Sequence, residues 1–120
     1  MAARVLYVDD EEALRTLVKS QLALQGFEVE TAEDGDVALN LLRKNTFDLV
    51  LLDIRMPRMD GIQVLKKMKA DNMRPRIIML TGVDDLSTAI QSVKLGANDF
   101  ITKPYDLEKL LSGVRRVLAR

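Results

Sequence analysis

Apolar residues follow two rhythms along this chain. Val5-Leu6-Tyr7-Val8, Leu49-Val50-Leu51-Leu52 and Ile77-Ile78-Met79-Leu80 are nearly continuous apolar runs, the pattern of strands covered on both faces. Glu28-Val29-Glu30-Thr31 alternates, and Asn98-Asp99-Phe100-Ile101 is half polar. Both predict edge strands, where charge also blocks unwanted pairing. Between these runs apolar residues recur every three or four positions. Leu14, Leu17, Val18 and Leu22 form one stripe, with Gly26 as its stop signal. Val37, Ala38, Leu41 and Leu42 lie in a second, from Asp36 to Lys44, and Ile62, Leu65 and Met68 follow Asp60-Gly61. Leu86, Ala89, Ile90 and Val93 make the fourth, and Leu107, Leu110, Leu111, Val114 and Leu118 the last. Each stripe is read as the core face of a helix.

Strand and helix therefore alternate five times, which predicts a single α/β domain over residues 1–120 with helices on both faces of a parallel sheet. If the second and fifth strands are edges, the first is interior. Right-handed crossovers then require the winding to reverse once. The strand order 2-1-3-4-5 meets both conditions, whereas 3-2-1-4-5 would bury the Glu-x-Glu strand.

Composition narrows the function classes. Eighteen basic and eighteen acidic residues cancel, so net charge gives no reason to expect nucleic-acid or membrane binding. Cysteine and histidine are both absent, which removes disulfides and the usual zinc sites. No apolar run approaches the roughly 20 residues of a membrane span, and no signal peptide precedes the first strand. The expectation is a soluble cytoplasmic domain.

In a doubly wound sheet, ligands sit beyond the carboxyl ends of the strands at the point where the winding reverses. Asp9-Asp10 ends the first strand, Asp53 the third, Thr81 the fourth, and Thr102-Lys103-Pro104 the fifth. Three carboxylates brought together repel, and at least one tends to take up a proton. A hard divalent cation resolves the conflict, and carboxylates with water suit Mg²⁺. Such an ion attracts phosphate oxygens, Lys103 and Thr81 add a cation and a hydroxyl, and a carboxylate such as Asp53 can act as a nucleophile. The residues alone thus point to a Mg²⁺-dependent phosphoryl site.

The set Asp9-Asp10, Asp53-Ile-Arg-Met-Pro57, Asp60-Gly61, Leu80-Thr81-Gly82 and Phe100-Ile-Thr-Lys103-Pro104 resembles the receiver domain of two-component response regulators, in order and spacing over essentially the whole chain. The resemblance implies a flavodoxin-like fold and makes Asp53 the phosphoacceptor, charged from a phosphohistidine on a sensor histidine kinase or phosphotransfer protein. It implies that Asp10, Asp53 and the backbone carbonyl of Arg55 bind Mg²⁺, with Asp9 acting through water. Lys103 would bond the carboxylate and then the phosphoryl oxygens. Thr81 would turn inward to the phosphoryl group, the Phe100 rotamer would follow, and Gly82 would leave room for the group. A cis Lys103-Pro104 bond also belongs to the pattern. The face built from the fourth helix, fifth strand and fifth helix would then control an output domain or partner, and is a candidate homodimer surface.

Two other readings have residues against them. A haloacid-dehalogenase-like phosphohydrolase wants an Asp two positions after the nucleophile, where this chain has Arg55, and places that nucleophile on the first strand. A binding module indifferent to phosphorylation would not need all five site residues. The expectation is a signalling phosphoacceptor that catalyses only its own phosphotransfer and self-dephosphorylation. Arg55 and Val83 stand two residues after Asp53 and Thr81, positions that border the attacking water's path in the family. Neither side chain readily accepts a proton, which predicts slow self-dephosphorylation.

Overall fold

The computed structural model describes residues 2–120. Strand β1 (Arg4–Val8) leads to α1 (Glu12–Leu24), β2 (Glu28–Ala32), α2 (Gly35–Lys44) and β3 (Leu49–Asp53). Helix α3 (Gly61–Ala70), β4 (Arg76–Thr81), a 3-10 turn (Val83–Asp85), α4 (Leu86–Lys94), β5 (Asp99–Thr102) and α5 (Leu107–Leu118) complete it. All pairings are parallel and the sheet order is β2-β1-β3-β4-β5, the flavodoxin-like order expected from the edge-strand pattern.

The pleat sends alternate residues of the buried strands to two cores. Leu6, Val8, Val50, Leu52, Ile77 and Met79 pack with Ala38 and Leu39 of α2, Val64, Leu65 and Met68 of α3, and Ala89 of α4. Val5, Tyr7, Leu49, Leu51, Ile78 and Leu80 pack with Val18 and Leu22 of α1 and with Leu110, Val114 and Val117 of α5. Continuous apolar strands thus reflect cover on both faces. Gly26 follows α1 at φ +94, a left-handed conformation that glycine adopts without steric cost.

Two helix stripes depart from the core reading. Leu17 is half exposed, because α1 seats on the sheet through Val18 and Leu22. In α4, Leu86, Ile90 and Val93 are 37%, 54% and 43% exposed. That helix meets the core through its small residues, Ala89 and Ser92, and the Ser92 hydroxyl donates to the Ala89 carbonyl at 2.5 Å. Its larger apolar side chains therefore face outward. Among the described residues no helix is long and apolar enough to cross a membrane.

Candidate functional site

Parallel strands all end on the same side, so β1, β3, β4 and β5 deliver their last residues to one rim. Register places Val8 beside Leu52, Asp53 beside Leu80, and Thr81 beside Thr102. Asp9 is fully buried, Asp53 is 4% exposed, and Asp10 is exposed. One carboxylate oxygen from each of Asp9, Asp10 and Asp53 lies within 4.8 Å of the others. Lys103 Nζ reaches in from beyond β5, 3.1 Å from Asp53 Oδ2 and 3.4 Å from Asp9 Oδ2. The Lys103-Pro104 bond is cis.

Burial is the largest influence on Asp53 and raises its pKa from 3.8 to about 6. Lys103 opposes that rise, and Asp9 adds to it. Burial alone would lower the pKa of Lys103, but Asp53 and Asp9 outweigh it and hold the ammonium above its ordinary value. The donor set is all hard oxygen, in an excess of negative charge that one ammonium does not balance. This fits Mg²⁺, which needs few protein ligands and keeps water.

The loops are braced from several directions. Asp60 and Gln63 form a reciprocal cap at the start of α3. A Cβ on Gly61 would lie 2.3 Å from the Asp53 carbonyl oxygen, so only glycine lets α3 begin directly against the end of β3. Arg58 Nη2 holds Asp34 at 2.6 Å, and Arg55 holds Asp85 with Nε at 2.6 Å and Nη2 at 2.9 Å. The loop after Asp53 is therefore pinned toward α2 on one side and α4 on the other.

Thr81 is fully buried, and its hydroxyl donates to the Gly82 carbonyl at 3.0 Å. Met79 is opposite Phe100 and Thr81 opposite Thr102, so alternation puts Thr81 and Met79 on one face. The half-buried Phe100 packs on that same face. A Cβ on Gly82 would meet nothing within 4 Å, so the space beside Thr81 is open.

Two site residues escaped the sequence reading. The buried Tyr7 hydroxyl donates to Asp9 Oδ2 at 3.0 Å and lies 2.5 Å from the Tyr105 hydroxyl. A phenol has one proton to give, so Tyr105 donates to Tyr7, which donates to Asp9. Asp9 Oδ1 accepts the Glu11 N–H at 2.9 Å. Both oxygens of the buried carboxylate are thereby occupied. Burial first, with the charge of Asp9 adding to it, drives the Tyr7 pKa above the ordinary phenol range, which keeps it a donor. The available signal was a tyrosine in an otherwise aliphatic strand, since a buried phenol needs a partner.

The family model of the response regulator receiver domain matches residues 5–115. The regulatory protein AtoC of Escherichia coli is 43% identical over 115 residues, covering 96% of this chain and 25% of that protein. The response regulator MprA of Mycobacterium sp. (strain KMS) is 38% identical over 120 residues, 100% of this chain and 52% of that protein. The chain thus spans between a quarter and about half the length of these relatives. The chemotaxis protein CheY4 of Vibrio cholerae superposes with a TM-score of 0.91 at 34% identity, covering 98% of this chain and 99% of that one.

Proposed function

Because the chain belongs to the response regulator receiver domain family, we propose that it is a phosphorylation-dependent switch with Asp53 as its phosphoacceptor. The observation that carries this is the placement of the Lys103 ammonium between Asp53 and Asp9, with Asp10 alongside, at the carboxyl end of a central strand. An Asp53 oxygen attacks the phosphorus of a phosphohistidine on a sensor kinase or phosphotransfer protein. The P–N bond breaks, its electron pair returns to the imidazole, and Asp53 becomes an acyl phosphate. Lys103 holds the carboxylate for attack and then meets the charge on the transferred oxygens, a positioned electrostatic contribution.

Asp10, Asp53 and the Arg55 carbonyl would hold Mg²⁺, with Asp9 contributing through water. The ion supplies charge neutralisation for the entering phosphoryl group. Tyr7 and Glu11 fix the orientation of Asp9 before any ligand arrives.

The new group adds roughly −1.5 to −2 charges. Thr81 exchanges its bond to Gly82 for a phosphoryl oxygen and vacates space for Phe100, so the α4-β5-α5 face takes a second arrangement. Reversing a 1:99 population to 99:1 requires a difference of about 5.5 kcal/mol. Two or three charge-assisted hydrogen bonds are of that order. That face would address an output domain, a separate protein or a second copy of the chain. Direct nucleic-acid contact, membrane attachment and turnover of other phosphate esters are not part of the proposal, and the setting is cytoplasmic.

The test is intact-mass and peptide-mapping spectrometry after incubation with acetyl phosphate, with and without Mg²⁺. The expected result is one phosphoryl group on Asp53 that forms only with Mg²⁺ and is lost in Asp53→Asn. Labelling elsewhere, or none with the metal present, would overturn the proposal.

A further inference from the structure

Asp34, Asp60, Asp85 and Asp106 stand at the N-caps of α2, α3, α4 and α5. At Asp34, Asp60 and Asp106 the backbone is extended, and the carboxylate accepts the N–H of the third helical residue. That geometry is the ordinary one for a capping aspartate. Asp85 has the same position and side chain but makes no such bond, and its ψ is 17 at the end of the 3-10 turn. Both its oxygens are instead taken by Arg55. The hydrogen bonds of this pair hold the Asp85 carboxyl below its ordinary pKa and Arg55 above its own.

Arg55 also borders the phosphoacceptor. It lies two residues beyond Asp53, in the loop that leaves β3, so a flexible three-carbon stem brings its guanidinium within reach of an anion built there. A phosphoryl group offers oxygens in the forked geometry that arginine matches best, with more charge than a carboxylate. The Arg55 side chain is 74% exposed while that of Asp85 is 13%, so the guanidinium is the mobile partner and water screens the pair from its side.

Resting on the phosphoacceptor reading, we propose that Arg55 is a phosphoryl-binding residue kept in reserve by Asp85, and that its transfer to phosphorylated Asp53 frees Asp85 to cap α4. Capping needs Asp85 to move from ψ 17 to extended backbone, so the 3-10 turn opens as the guanidinium leaves. The exposed Val83, Leu86 and Ile90 ride on that turn and on the start of α4. Charge placed on β3 is thereby converted into a change of the apolar surface beside it. The guanidinium is the shared element, since it holds Asp85 or the phosphoryl group.

The decisive measurement is amide hydrogen exchange at Thr88, the third residue of α4, by NMR on the whole chain. Spectra are taken before and after acetyl phosphate with Mg²⁺, and intact mass reports phosphorylation of the same sample. In the parent, the Thr88 amide exchanges roughly fivefold more slowly once Asp53 is phosphorylated, the effect of gaining a cap. Arg55→Ala shows the slow rate without phosphodonor, and Asp85→Ala shows the fast rate in both states. A parent that gains the phosphoryl mass with Thr88 exchange unchanged would overturn the proposal. So would an Arg55→Ala protein that exchanges like the unphosphorylated parent. Absence of the mass gain would instead sink the phosphoacceptor reading, and the mass alone tells the two failures apart.

Discussion

The Lys103 ammonium stands 3.1 Å from Asp53 Oδ2, close enough to oppose the rise that burial imposes on this carboxyl group. Lys103→Met removes that opposition. The Asp53 pKa in the metal-free protein then climbs beyond about 6, as read by carbon-13 titration of the carboxyl. Phosphorylation from acetyl phosphate slows on the order of a hundredfold, the usual cost of removing one positioned donor.

Stability of the metal-free protein carries the same imprint. Asp53 releases its proton near 3.8 when unfolded and near 6 when folded. Between those values the folded chain holds the extra proton, so each rise in pH there favours unfolding. The contribution is complete below pH 3.8 and gone above about 6. Two denaturation series, parent and Asp53→Asn, should converge at low pH and separate above it. The variant becomes the more stable by on the order of 3 kcal/mol at neutral pH.

Asp10 is exposed, while Asp9 and Asp53 are buried. Asp10→Asn therefore leaves metal-free stability within about 0.5 kcal/mol of the parent. It abolishes the increase in melting temperature that Mg²⁺ gives the parent, an increase that a chelator reverses. Scanning calorimetry with and without the metal measures both.

Much of this was legible in the chain, for identifiable reasons. Glu28 and Glu30 could not sit in a sheet interior, and that fixed which strand was first inside. The strand order then placed Asp9, Asp53, Thr81 and Lys103 together without side-chain detail. Periodicity misled at α4, because Leu86, Ile90 and Val93 mark a face without saying whether core or water lies opposite. The Arg55–Asp85 pair joins two loops thirty residues apart, and no local pattern records which loops face one another. Tyr7 was hidden by its own ring, which suits an apolar strand as well as valine does.

Two glycines near the site should respond in opposite ways. Gly61→Ala drives a methyl group against the backbone of Asp53 and should cost about 3 kcal/mol, the upper end of the usual range for overpacking. Gly82→Ala meets open space at φ −75 and should change stability by less than about 0.5 kcal/mol. Urea denaturation of both variants separates a packing role from a clearance role.

The phosphorylated state should decay slowly. Val83, two residues beyond Thr81, is 67% exposed, and neither it nor Arg55 accepts a proton from water. Arg55→Asn combined with Val83→Glu supplies an acceptor and removes the guanidinium, so it should shorten the lifetime of the acyl phosphate. Loss of the phosphoryl mass after removal of the donor gives the rate, and an unchanged rate would count against this role for the two positions.

The chain holds two tyrosines and no tryptophan, and both phenols lie in the relay that ends on Asp9. Tyrosine emission from this molecule therefore originates at one place. Metal entry, covalent charging or any disturbance of the Asp9 carboxylate reaches the chromophores through hydrogen bonds they already make. The protein comes with an optical gauge of its own acidic cleft, and no dye or engineered probe is needed to read it.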